Sequence, residues 1–92
     1  MINKIIIMDS NDNCATALVE IPKNSEIMVK ERNIKTNQKI PNGHKVALID
    51  IKKGEFILKY GEIIGVAIED IKSGDWMHIH NIKSHYLNKV TE

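Results

Sequence analysis

One short unit constrains this chain more than any other feature. It is a pair of apolar segments bent around a tight polar turn, and it is written three times. Ala17-Leu18-Val19-Glu20-Ile21-Pro22-Lys23-Asn24-Ser25-Glu26-Ile27 aligns with Ala47-Leu48-Ile49-Asp50-Ile51-Lys52-Lys53-Gly54-Glu55-Phe56-Ile57 and with Ala67-Ile68-Glu69-Asp70-Ile71-Lys72-Ser73-Gly74-Asp75-Trp76-Met77. Asn24, Gly54 and Gly74 fall at the same place in the unit. Glycine and asparagine reach positive φ most easily, so each turn is predicted to hold a left-handed residue there. The copies start 30 and 20 residues apart, too unequally for a one-directional stack. The expectation is a small β-domain that reuses one corner.

The rest of the chain agrees with strands. Isoleucine occurs seventeen times, and β-branched side chains suit a pleated surface better than a helix. Apolar blocks at 5–8, 14–21, 46–51, 56–58, 63–68 and 76–79 are cut by Gly, Pro, Asn and Asp. Short runs with turn residues about every 8–12 positions predict an all-β sandwich or barrel-like fold. A helical turn over 13–18, capped by the Asn/Asp cluster before it, ranks below a strand. The polar stretch 30–42 reads as a long connection or an excursion strand, with its lysines on a solvated face. The polar tail from 83 to 92 is expected to fray. Ninety-two residues make one domain, 1–92. About 64% of its surface is buried on folding, enough for a core but not for a large catalytic cleft.

Charge excludes some functions. Thirteen basic and twelve acidic residues give a net charge of +1, so no strong field draws the chain to nucleic acid or a membrane surface. Four aromatic residues, not interleaved with basic ones, also argue against nucleic-acid binding. No apolar run approaches the ~18 residues of a membrane span, and the apolar start is too short for a signal peptide. The single Cys14 rules out an intrachain disulfide and makes a reducing, cytoplasmic setting the expectation.

Chemistry is left to the histidines. His78 and His80 are two apart, so on a strand both imidazoles project from one face while Ile79 points inward. Such a pair can chelate a divalent metal if a third ligand completes the site. His44 follows a Pro41-Asn42-Gly43 turn and joins them if the corners cluster. Lys45 beside it can bind a carboxylate as a point charge. The plain alternative for each is a surface imidazole or a solvated lysine. His85 reads as solvated, Cys14 as a small core residue, Tyr60-Gly61 as a turn, and Trp76 as a core or interface anchor.

Three motifs in order carry a family resemblance. Ile40-Pro41-Asn42-Gly43-His44-Lys45-Val46-Ala47-Leu48-Ile49-Asp50-Ile51-Lys52-Lys53-Gly54-Glu55 resembles the core of the SAF domain of altronate and galactarate dehydratases. Ile57-Leu58-Lys59-Tyr60-Gly61-Glu62-Ile63-Ile64-Gly65 is similar to that family's I-x-K-Y-G-x-x-I-G segment. The stretch from Ala67 to His78-Ile79-His80-Asn81 resembles its I-x-x-G-x-x-V-H-x-H-N ending. The resemblance implies a β-clip fold and a part in sugar-acid dehydration. It further implies a much larger catalytic part, fused or separate, and a divalent ion, Fe²⁺ or Mn²⁺. The small subunit of sulfolactate sulfo-lyase is a related arrangement. Asn24 and Ser25 replace the glycine and acid of the first corner, and Cys14 stands where an aliphatic residue is usual.

The two lines combine into one expectation. His44, His78 and His80 are the catalytic candidates, with His78 and His80 as metal ligands. Lys45 and Asn81 orient the substrate's carboxylate and hydroxyls. Which imidazole is ligand, acid or base stays open at this point. The isolated chain is too small to enclose a hexonate and is expected to be inactive. Two other readings compete: a non-catalytic carbohydrate- or partner-binding β-clip, with incidental histidines, and a structural domain that self-associates through an open β-edge.

Overall fold

The computed structural model describes residues 4–7, 9–29, 32–78 and 80–84. Every regular element among them is a strand, as the isoleucine-rich pattern predicts. β1 (Ile5–Ile6), β2 (Cys14–Ala17), β5 (Lys45–Ala47) and β8 (Trp76–Met77) form a four-stranded sheet in that order. β3 (Glu26–Val29) pairs with β4 (Arg32–Lys35), and β6 (Phe56–Lys59), β7 (Glu62–Ala67) and β9 (Ile82–Ser84) form a three-stranded sheet. All these pairings are antiparallel. The Asn/Asp cluster does not start a helix; residues 14–17 are strand β2. The 30–42 stretch is an excursion strand for part of its length, in β4. Of the 83–92 tail, residues 83 and 84 belong to β9, and 85–92 lie outside the described residues. His85 and Ile79 lie outside the described residues.

Among the described residues the corner recurs four times, not three. The fourth copy is Thr36…Ile40-Pro41-Asn42-Gly43-His44, hidden in sequence because Thr36 replaces alanine and His44 replaces the acid. Positive φ appears at the same place in all four: 66° at Asn24, 84° at Gly43, 91° at Gly54 and 90° at Gly74. The copies pair two by two. Ile21 and Ile40 exchange backbone hydrogen bonds of 2.9 and 2.8 Å, and Ile51 and Ile71 exchange bonds of 2.8 and 2.7 Å. Each left-handed N–H then donates to the residue four before its partner's isoleucine. Asn24 N–H reaches Thr36 O, Gly43 reaches Ala17 O, Gly54 reaches Ala67 O and Gly74 reaches Ala47 O, each at 2.8 Å. The backbone groups freed by four tight bends are thus satisfied within each pair.

Each pair has its own core. Ile21 and Ile40 are buried with Ala15, Ala17, Ile27, Val29, Ile34, Val46 and Leu48. Ile51 and Ile71 are buried with Cys14, Ala47, Ile57, Ala67 and Met77. The four-stranded sheet lies between, and strand alternation divides its side chains. Ala15, Val46 and Trp76 are in register on one face; Cys14 and Ala47, with Thr16, Lys45 and Met77, are on the other. Burying an isoleucine is worth roughly 1.5–3 kcal/mol, so the four corner isoleucines, at most 2% exposed, anchor both halves.

Two further polar devices fix the frame. Tyr60 and Gly61, at φ 58° and 72°, form a two-residue turn between β6 and β7, with the paired positive φ of a type I′ hairpin. The buried Asp12 carboxylate accepts from both turn N–H groups, at 3.0 and 2.9 Å. The Asn13 amide donates to Phe56 O at 2.9 Å and accepts from Leu58 N–H at 2.8 Å, tying the start of β2 to β6.

Candidate functional site

The end of β8 is where three histidines gather. The His44 and His78 rings are 4.6 Å apart, centroid to centroid, and tilted by 34°. Trp76 lies beside both: its ring is stacked on His78 at 5.8 Å and 11°, and tilted against His44 at 5.8 Å. The His80 ring packs against Trp76 at 5.0 Å. His44, Trp76 and His78 are half-buried and His80 is exposed, so the cluster is a wall open to solvent or to a partner.

The corner geometry explains why His44 is free to join it. Its position in the corner is held by Glu55 and Asp75 in two other copies. There the carboxylate accepts the N–H three residues earlier, Lys52 at 2.6 Å and Lys72 at 2.8 Å. In the fourth copy that earlier residue is Pro41, which has no N–H to give. Pro22 creates the same situation in the first copy, where Ser25 Oγ instead donates to Pro22 O at 2.7 Å. His44 keeps only the backbone turn, donating its N–H to Pro41 O at 3.0 Å. Its side chain goes to Trp76, whose indole Nε1–H donates to His44 Nδ1 at 3.1 Å.

Trp76 is held from the other side by residues that sequence reasoning passed over. Gln38 Oε1 accepts the Trp76 backbone N–H at 2.9 Å. Asn37 Nδ2 donates to Asp75 Oδ1 at 2.7 Å and to Ser73 O at 3.1 Å. The segment after β4 is therefore clamped onto the Gly74 corner. These contacts join residues 36 to 38 apart, and no local pattern in the sequence marks them.

The expected strand through His78 and His80 does not form. β8 stops at Met77, and the chain turns: Asn81 and Ile82 N–H both donate to His78 O, at 3.1 and 3.0 Å. Asn81 causes the turn. Its buried side chain accepts from His78 N–H and donates to Trp76 O, each at 2.9 Å. His78 and His80 thus meet through Trp76 and not by strand alternation. Asn81 was expected to orient the substrate; both ends of its amide are instead engaged by the chain. Lys45, expected at the substrate, stands on the sheet face of Thr16 and Met77, opposite Trp76.

Among the described residues, no three His, Cys, Asp or Glu side chains gather so as to hold a metal ion. His78 and His80 do not by themselves complete a divalent site. Cys14 is a poor candidate ligand. Burial pushes its thiol up from 9.0 to about 11, with Asp12 adding to the rise and Lys45 and Lys59 opposing it. Its Sγ–H donates to Leu58 O at 3.5 Å. Among the described residues no helix is long and apolar enough to cross a membrane.

Fold and wall together define a small all-β domain that presents a histidine–tryptophan cluster at one corner. Residues 3–85 match the family described as the altronate/galactarate dehydratase SAF domain, and the chain belongs to that family. It is 40% identical over 73 residues to the altronate dehydratase of Escherichia coli strain K12, covering 79% of this chain and 15% of that enzyme. It is 38% identical over 79 residues to the altronate dehydratase of Bacillus subtilis strain 168, covering 86% of this chain and 16% of that enzyme. It is also 29% identical over 86 residues to the (2R)-sulfolactate sulfo-lyase subunit alpha of Chromohalobacter salexigens, covering 86% of this chain and 92% of that subunit. The chain therefore spans about a sixth of the dehydratases it matches and nearly all of the sulfo-lyase subunit.

Proposed function

We propose that this chain supplies one wall of the active site of a carbon–oxygen lyase that dehydrates a sugar acid of the altronate or galactarate type. The catalytic bulk belongs to a larger part, fused or separate. The observation that carries the reading is the partly open cluster of His44, Trp76, His78 and His80, set inside the family-matching segment. Dehydration removes a proton α to a carboxylate and expels a β-hydroxyl, and imidazoles are suited to both transfers. His78 and His80 face that chemistry as proton-transfer groups or as partial ligands of Fe²⁺ or Mn²⁺. The gathering at this wall falls short of a full ligand set, so we route no step through an ion; its remaining ligands would come from the larger part. A reducing cytoplasm suits the free thiol of Cys14.

A second reading is the small subunit of a sulfolactate sulfo-lyase. The chain's 92% coverage of one subunit alpha favours it. Both readings place the same wall against a larger partner.

The test is a replacement. The 40%-identical segment of the E. coli altronate dehydratase is exchanged for this chain, and keto-acid formation from altronate is measured. Turnover is expected, with a loss of about 10²–10⁴-fold in His78→Ala and His80→Ala. Full activity in both variants would reject the wall. Turnover by the purified 92-residue chain alone would reject the division of labour.

A further inference from the structure

The bond between Trp76 and His44 says more about the site than the histidines do. An indole N–H only donates, and it donates here to Nδ1 of His44 at 3.1 Å. That nitrogen must carry a lone pair, so the proton of the neutral ring sits on Nε2. A ring in this state has no lone pair on Nε2 with which to take a proton or bind a metal. It has an N–H to offer.

We infer that Trp76 is a positioning residue that holds His44 in the Nε2–H tautomer, so that His44 meets the substrate as a hydrogen-bond donor to an oxygen and not as a base or metal ligand. The inference rests on the functional reading above and assigns a role within that wall. Three features of the chain serve this state. Pro41 leaves the His44 side chain without a turn N–H to cap. Gln38 and Asn81 hold the Trp76 backbone from its N–H and its C=O, both at 2.9 Å. The His78 ring, stacked on the indole at 11°, fixes the indole plane. The matching substrate group is a carboxylate or hydroxyl oxygen, on which charge develops as the α-proton leaves.

Two measurements separate this inference from the broader reading. In the full 92-residue chain, nitrogen NMR should show His44 with a protonated Nε2, a bare Nδ1, and a coupling across the hydrogen bond to the Trp76 indole. Trp76→Phe keeps a ring but loses the donor; the coupling should vanish and the Nδ1–H tautomer should appear. A protonated Nδ1 in the native chain overturns the inference whatever the enzyme does. So does broadening of His44 by directly bound Mn²⁺ when that ion alone is added.

In the altronate dehydratase carrying this chain, His44→Gln keeps an N–H near the position of Nε2 but cannot act as a base. It should retain at least ten times the kcat of His44→Ala. Trp76→Phe should lower kcat about tenfold with KM nearly unchanged. Gln and Ala variants equally inactive but folded would make His44 a base or ligand and sink the inference. Both fully active would remove His44 from the wall altogether.

Discussion

Gly54 and Gly74 occupy equivalent corners with nearly equal backbone angles, φ 91° and 90°, yet alanine should be tolerated very differently at the two. At either site an L-residue is held in the left-handed region, at about 1–2 kcal/mol. At Gly54 that is the whole expected cost, because an added Cβ meets nothing within 4 Å. At Gly74 the Cβ would overlap the Lys35 carbonyl oxygen and lie 2.9 Å from its carbon. Neither atom is a flexible side-chain end. Lys35 is the last residue of β4, in register with Glu26, and Thr36 N–H is already bonded to Ser25 O at 2.9 Å. Moving that backbone adds about 1–3 kcal/mol, the scale of overpacking. Gly54→Ala should therefore lose about 1–2 kcal/mol and Gly74→Ala about 2–5 kcal/mol by urea denaturation. Each kcal/mol lowers Tm by about 4–8 °C in a domain of this size. Gly74→Ala should also disturb the single tryptophan's fluorescence, since Gly74 lies against the segment that holds Trp76, and Gly54→Ala should not. Equal losses within about 0.5 kcal/mol would show that the close approach at Gly74 is not rigid and would refute the reasoning.

Other outcomes follow from the same contacts. Pro41→Lys with His44→Asp rebuilds the carboxylate-capped turn of the Gly74 corner. In a double-mutant cycle the two changes should couple favourably by about 0.5–1.5 kcal/mol, while the E. coli altronate dehydratase carrying the doubly substituted segment loses turnover; zero coupling in urea melts would refute the capping account. Asn81→Ala leaves the His78 N–H and the Trp76 carbonyl without their side-chain partner and should cost about 2–4 kcal/mol, with the Trp76 emission shifting in the still-folded protein at low denaturant. The raised Cys14 thiol stays protonated in the folded chain while the unfolded chain ionises, so stability should be level below pH 9.0 and fall as pH rises toward about 11. The total loss should be roughly 2–3 kcal/mol, and Cys14→Ala should flatten the curve in the same melts.

The sequence displayed its strands because their signal is local. Isoleucine at one fixed place in each unit, with Asn or Gly three residues on, was enough to anticipate the left-handed turns at Asn24, Gly54 and Gly74. What stayed hidden was set by partners distant in sequence. Thr36 and His44 disguise the fourth corner, and its equivalence becomes plain in the positive φ of Gly43 and the bonds from Asn24 N–H to Thr36 O and from Gly43 N–H to Ala17 O. The path of the chain after Met77 departs from the strand expectation for a similar reason. Alternation is a rule of paired backbone, and the Asn81 side chain takes the His78 N–H and turns the chain instead. Gln38 and Trp76 are 38 residues apart, and nothing local in either announces the contact.

The four corners also suggest why the wall stands where it does. In a pseudo-symmetric frame, any residue that differs among equivalent positions while the backbone does not has been released from the fold's demands. Glu55 and Asp75 cap their turns, and Ser25 bonds back to its own turn. His44 alone of the four sends its side chain out of the corner to a neighbouring ring. That release depends on Pro41, because a free N–H at that position would favour an acidic cap over an imidazole. The backbone N–H of His44 still closes the turn on Pro41 O, so the corner retains its shape with the side chain withdrawn. A chain of this size has little core to spare for function. Placing the catalytic candidate where the frame has already satisfied its own hydrogen bonds lets the wall vary without unfolding the domain beneath it.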